Sequence, residues 1–151
     1  MRREFTVAVF VVHADRVLLL WHRQLRRWLP PGGHLLPNEL PDEAARREVQ
    51  EETGLAVELV GEYGLDLERP QQLLRPEGVQ VEEIGPDHQH IDLIYFARPR
   101  PGTPLTPRPN AESAAIGWYR LADLPALGVS DEVQRWAARA VERVNGGRPG
   151  S

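Results

Sequence analysis

The chain has no cysteine and no lysine among its 151 residues. Without cysteine it can form no disulfide, no thiolate nucleophile and no zinc–thiolate centre. Without lysine, Schiff-base chemistry and lysine nucleophiles are excluded, and all 18 basic side chains are arginine. Arginine favours bidentate contact with phosphate oxygens. No apolar run approaches transmembrane length. Met1 to Val12 is largely apolar, but His13, Asp15 and Arg16 interrupt it before a plausible leader cleavage site, so it reads as a first strand. A cytoplasmic location follows by default, with no membrane partner. The net charge of -4 lacks the basic excess that a general nucleic-acid binder needs against phosphates. What remains, 41% hydrophobic and 26% charged residues, is ordinary for one soluble domain long enough to bury a core.

The most informative stretch is Gly33 to Leu55, GHLLPNELPDEAARREVQEETGL. A helix is expected to start near Pro41, whose missing N–H costs nothing there, with Asp42 and Glu43 at the positive end of its dipole. Leu40 stands where a serine or threonine would cap, a loss of ~1 kcal/mol. Gly54 ends the helix as a left-handed cap. Ala45 and Val49 form an apolar edge, while Glu48, Glu51 and Glu52 lie at i, i+3 and i+4 and share another face. Each like-charge pair at about 5.5 Å costs roughly 3 kcal/mol at an effective dielectric of 20. A hard divalent cation removes that cost, prefers oxygen ligands and accepts phosphates as further partners. Glutamates alone would read as a solvated face, so the surroundings decide. Arg47, four residues after Glu43 and four before Glu51, can brace carboxylates by charge-assisted hydrogen bonds.

The same stretch meets a longer pattern: Gly33, five residues, Glu39, seven residues, Arg47-Glu48-Val49, one residue, Glu51-Glu52, one residue, Gly54-Leu55. A chance match at any one start has a probability on the order of 10⁻¹⁰ from average residue frequencies. The chain thereby resembles the Nudix hydrolases. The resemblance implies an enzyme that uses Mg²⁺ or Mn²⁺ to cut a diphosphate linkage in a nucleoside diphosphate joined to another group. It implies an α/β/α sandwich with a mixed β-sheet between helices. It assigns metal ligation to Glu48, Glu51, Glu52 and the Gly32 carbonyl, and makes Glu39 and Arg47 the pair that holds the helix to its loop. Water would attack phosphorus and a carboxylate would take its proton, with Glu48 the first choice and Glu112 or Glu83 the second. Zero cysteine argues against the isopentenyl-diphosphate isomerase branch. A nucleotide-sanitising enzyme acting on a nucleoside triphosphate or a nucleoside diphosphate derivative fits a chain of this size. ADP-ribose, for which Pro70 has a suitable spacing but no Ser-Pro-Gly context, and dinucleoside polyphosphates are alternatives. A non-catalytic sensing module is another, although such modules usually lose residues that are all present here. Domain-swapped dimers occur among relatives, so a homodimer stays open.

Elsewhere, strands are expected at Thr6 to Val12, Arg16 to His22, Ala56 to Leu67, Gln89 to Arg98 and Ala115 to Tyr119, with Trp28 to Gly33 leading into the helix. A helical turn at Leu121 to Leu124 precedes a C-terminal helix over Asp131 to Val144, whose stripe is Val133, Trp136, Ala137, Ala140, Val141 and Val144. The domain is taken as residues 1–144, with 145–151 a disordered tail. Arg69 to Asp87 and the proline-rich Arg98 to Glu112 read as functional loops or mobile flaps that shape substrate recognition. Arg23, Arg26 and Arg27 are candidate phosphate clamps. Trp21, Trp28, Tyr95 and Phe96 are candidates for base stacking, while Phe10 and Trp118 belong in the core. His88, His90 and Asp92 alternate onto one face with Ile94 and Phe96. They read as a polar strand end at the substrate cleft, with His90 on phosphate or base, as a separate metal site, or as plain turn polarity.

Overall fold

A computed structural model describes residues 1–146. The chain runs β1 (Arg2–His13), β2 (Arg16–His22), β3 (Arg27–Leu29), β4 (Gly32–His34), α1 (Pro41–Thr53), β5 (Val57–Val60), β6 (Gly78–Gly85), β7 (His88–Pro99) and β8 (Ser113–Arg120). A short 3₁₀ turn at Leu121–Asp123, α2 (Leu124–Leu127) and α3 (Asp131–Val144) complete it. Strand β1 is the spine. It pairs in parallel with β7 along most of its length and antiparallel with β4 and β2, so the sheet is mixed. Strand β2 in turn pairs with β3 and β8. Ala14, at φ 53, takes the left-handed conformation that closes the β1–β2 turn.

Alternation along β1 divides the core in two. Val7, Val9 and Val11 face one side with Tyr95 and Ala97, and there meet Ala44, Ala45, Val49 and Leu55 in and after α1. Phe10 and Val12 face the other with Ile94 and Phe96, and meet Val133, Ala137 and Ala140 of α3. Helices on both faces of a mixed sheet give the expected α/β/α sandwich. Each fully buried aliphatic side chain here contributes roughly 1.5–3 kcal/mol. The small Ala44 and Ala45 let α1 lie close to the sheet, and Gly78 does the same for α3, since a Cβ there would sit 2.3 Å from a Trp136 ring carbon. Among the described residues no helix is long and apolar enough to cross a membrane.

The strand expected over Ala56 to Leu67 ends at Val60. The cause lies elsewhere in the chain: β5 and β6 share one edge of β7, Val60 opposite Phe96 and Gly78 opposite Ile94, so β5 must leave where β6 begins. Residues 78–85, read from sequence as irregular, are therefore strand. Nor is the proline-rich segment a free flap. Arg100 N–H donates to Ala56 O at 2.9 Å, Trp118 Nε1 to Leu105 O at 2.8 Å and Arg108 N–H to Thr53 O at 2.8 Å. Tyr95 and Phe96 are each 2% exposed and hold core positions, not stacking platforms. Trp118 is half-buried at the core margin, while Phe10 is enclosed. Asn145 donates its amide to Ala14 O at 2.7 Å, and the rest of the expected tail, 147–151, lies outside the described residues.

Candidate active site

Helix α1 begins after Leu40, which has no oxygen to cap with. The Glu43 carboxylate instead accepts the Leu40 N–H at 3.1 Å, closing half of a capping box. Gly54, at φ 75, ends the helix in the left-handed conformation, as its position predicts. About two turns before that end, Arg47 collects five hydrogen bonds. It grips Glu39 through two, Nε to Oε2 at 2.7 Å and Nη2 to Oε1 at 2.9 Å. It also donates to Glu48 and Glu51 at 3.0 Å each and to the His34 carbonyl at 2.9 Å. Glu39 receives the Leu36 N–H at 2.9 Å as well. These bonds hold the Glu39 carboxyl below its ordinary range and raise the Arg47 guanidinium above its own. The helix and its preceding loop are thus tied together through Arg47 and Glu39.

The glutamates differ sharply in environment. Glu51 has 57% of its side chain exposed. Glu48 is mostly enclosed beside Gly33, where an added Cβ would lie 2.7 Å from its carboxyl carbon. Glu52 is 7% exposed and accepts the Gly32 N–H at 2.7 Å. Gly32 itself has no room for a side chain, because a Cβ would stand 2.2 Å from the Val7 carbonyl oxygen. Gly33 therefore lets the Glu48 carboxylate approach β4, while Gly32 lets β4 lie against β1 and gives its N–H to Glu52. Burial pushes Glu52 up to about 8, opposed by the Gly32 N–H and reinforced by Glu48, Glu112 and Glu51. Burial also raises Glu48, against the pull of Arg47. Crowded carboxylates that resist ionisation, braced on one side by Arg47, form an oxygen-rich donor set suited to a hard divalent ion.

Glu112 acts electrostatically on both Glu48 and Glu52. The proline-rich segment brings it there, with its carbonyl accepting the Arg23 N–H at 2.9 Å and its own N–H bonded to Asn110 Oδ1 at 2.9 Å. Glu83 is elsewhere, on β6, bonded to Gln89 Nε2 at 2.6 Å.

A NUDIX domain model matches residues 2–143. The chain belongs to the NUDIX family. A NUDIX-family hydrolase structure from Clostridium perfringens is 34% identical, with a TM-score of 0.83 over 95% of this chain and 99% of that one. The human 8-oxo-dGDP phosphatase NUDT18 is 36% identical over 123 residues, which are 79% of this chain. The chain spans only 32% of the length of that relative. A MutT NUDIX hydrolase from Burkholderia pseudomallei, 21% identical, shares the fold at a TM-score of 0.68 over 95% of this chain and 99% of its own.

Outside the helix the sequence-derived NUDIX site residues fare unevenly. Arg23 is exposed, and its backbone N–H bonds the Glu112 carbonyl, which sets the two residues side by side along the backbone. Arg27 is exposed but engaged by Glu82 at 2.8 Å. Trp28 is half-buried between Trp21 and Tyr119, with ring centroids 5.7 and 5.2 Å away. His90 and Asp92 alternate onto the α3 face of the sheet, away from α1. Asp92 is buried, accepts the Thr6 hydroxyl at 2.8 Å and is pushed up to about 6 by burial, so it turns from the histidines.

Proposed function

We propose that this chain is a Mg²⁺- or Mn²⁺-dependent pyrophosphohydrolase that cleaves a diphosphate linkage in a nucleoside triphosphate or nucleoside diphosphate derivative by attack of water on phosphorus. The observation that carries the reading is the gathering of Glu48 and Glu52 against Gly32 and Gly33 of β4, with Glu51 and Glu112 beside them. Glu48, Glu51, Glu52 and the Gly32 carbonyl would hold the metal. When bound it neutralises charge on the phosphates and makes water a better nucleophile. The chain's own groups do the rest. Arg47 positions Glu48 and Glu51 by one hydrogen bond each and is itself fixed by Glu39. Glu48 accepts the proton of the attacking water, and Glu112, facing the same space, is the second choice. Arg23, exposed and bonded through its backbone to Glu112, is the candidate in this reading to receive a phosphate.

The names of the relatives favour an oxidised purine nucleotide as substrate. The test is product analysis after incubation with Mg²⁺ or Mn²⁺ and a panel holding 8-oxo-dGDP, 8-oxo-dGTP, ordinary nucleoside triphosphates, ADP-ribose and dinucleoside polyphosphates. Turnover of one compound, lost in Glu52→Gln and on metal removal, is the expected result. Binding of a panel member without turnover would replace the hydrolase with a sensing role.

A further inference from the structure

Three adjacent strands bring an imidazole cluster together on the sheet face opposite α1. Glu4 on β1 stands in register with His90 on β7, His34 on β4 lies opposite Thr6, and His88 lies opposite Arg2. Alternation places all four side chains on the same side as Phe10 and Ile94. Glu4 Oε1 is hydrogen-bonded to His88 Nε2 and lies 3.6 Å from His34 Nε2 and 3.9 Å from His90 Nε2. The rings stack edge to face, with centroids 4.8 Å apart for His34 and His90 and 5.1 Å for His88 and His90. Of the three imidazoles only His88 is hydrogen-bonded to the carboxylate, and the buried His90 Nε2 has no hydrogen-bond partner.

We propose that Glu4, His34, His88 and His90 form a second divalent-metal site, selective for an imidazole-preferring ion of the Zn²⁺ class and distinct from the carboxylate site of α1. Ligand atoms of Glu4, His34 and His90 already lie within 4.8 Å of one another. Tetrahedral zinc with bonds of about 2.1 Å needs ligand atoms about 3.4 Å apart, a contraction that side-chain rotation supplies. The strands give the set a rigid base, and neutral imidazole nitrogens with one carboxylate suit zinc better than magnesium. Arg2 reaches within 3.2 Å of His88 and 3.4 Å of Glu4, but its side chain is 68% exposed and can turn into water as a cation enters. Glu82, opposite His90, is engaged by Arg27 and stays outside the set. Because His34 follows Gly33 and its carbonyl accepts from Arg47, an ion here would also stiffen the turn at the carboxylates.

The test uses the whole chain, freed of metal by a chelator and held in excess Mg²⁺. Co²⁺ is followed by its visible ligand-field absorption, and Zn²⁺ by calorimetry. One equivalent should bind with a Kd in the micromolar range or below. His90→Gln and Glu4→Gln should each weaken binding at least about tenfold, while Glu52→Gln leaves it unchanged. His88→Gln, at the rim of the cluster, serves if a melting scan shows that either variant fails to fold. Absence of the cobalt band with no calorimetric zinc binding overturns the proposal. So does binding that vanishes in Glu52→Gln but survives in the histidine variants, or a cluster that inorganic phosphate protects thermally and zinc does not.

Discussion

Replacing Glu52 by glutamine should change how the metal-free protein responds to pH. The carboxyl of Glu52 is raised from an ordinary 4.5 to about 8, mainly by burial. A folded-state pKa above the unfolded one means that the native protein holds its proton longer. Stability from this group is therefore full below about 4.5 and is lost as the pH climbs through about 8. Complete ionisation would cost the fold up to about 5 kcal/mol at 1.36 kcal/mol per unit. Between pH 6 and 8 the loss comes to roughly 2 kcal/mol, which in a chain of this size is a fall in Tm of about 5 °C. Burial raises Asp92, Glu48, Glu77 and Glu132 as well, adding losses of the same sign. The informative quantity is thus the difference between wild type and Glu52→Gln. Glutamine keeps an oxygen for the Gly32 N–H and cannot ionise, so Tm of the variant minus Tm of wild type should grow by about 5 °C from pH 6 to 8. Differential scanning calorimetry in chelator measures it. A difference that stays flat across that range would refute the account of Glu52. Added Mg²⁺ should stabilise wild type more at pH 8 than at pH 6, since fewer protons must be displaced.

Other perturbations follow from the same geometry. Arg47→Ala removes five hydrogen bonds and leaves three carboxylates unbraced; a loss of about 3 kcal/mol by denaturant unfolding is expected, together with loss of turnover. Gly33→Ala would drive a methyl into the Glu48 carboxyl at 2.7 Å, so kcat should fall at least about tenfold while Tm moves little. Gly32→Ala meets a backbone oxygen at 2.2 Å, and the expected loss is one of stability, read in the same melting assay. Glu112→Gln should slow turnover, by about 10²-fold if it is the base, whereas Glu83→Gln on β6 should leave the rate near wild type.

What could be read in advance was local. The carboxylate helix, its proline start, its glycine end and the Glu39–Arg47 clamp all lie within one short stretch, and each depends on neighbours a few residues away. The C-terminal helix Asp131–Val144 carries its own stripe and lies where that stripe puts it. Strand β6 escaped although its V-Q-V-E run alternates as a strand does, because proline and glycine flank it and read as turns; its valines lie on the uncovered side, Val79 and Val81 being 60% and 59% exposed. The early end of β5 is a contest for one edge of β7, which no window over β5 contains. Glu112 owed its place near Glu48 to bonds that tie the proline-rich segment to α1 and to β2. The imidazole cluster was half visible: His88 and His90 alternate, but Glu4 preceded the expected strand and His34 sat at an unconstrained position within the pattern. Asp92 looked like their partner and instead serves Thr6.

The end-to-end arrangement of β5 and β6 has a further consequence for how this chain could change over time. The segment between them leaves β7 at Phe96 and returns at Ile94, so its two mouths are held side by side by the ladder itself. Lengthening such a segment adds only a slowly growing entropic cost, about 0.6 kcal/mol for each doubling. Only the outer part of this segment, residues 64–73, is interchangeable on those terms, because Leu74 packs in the core beneath α1 and Glu62 and Glu77 both meet Arg143 of α3.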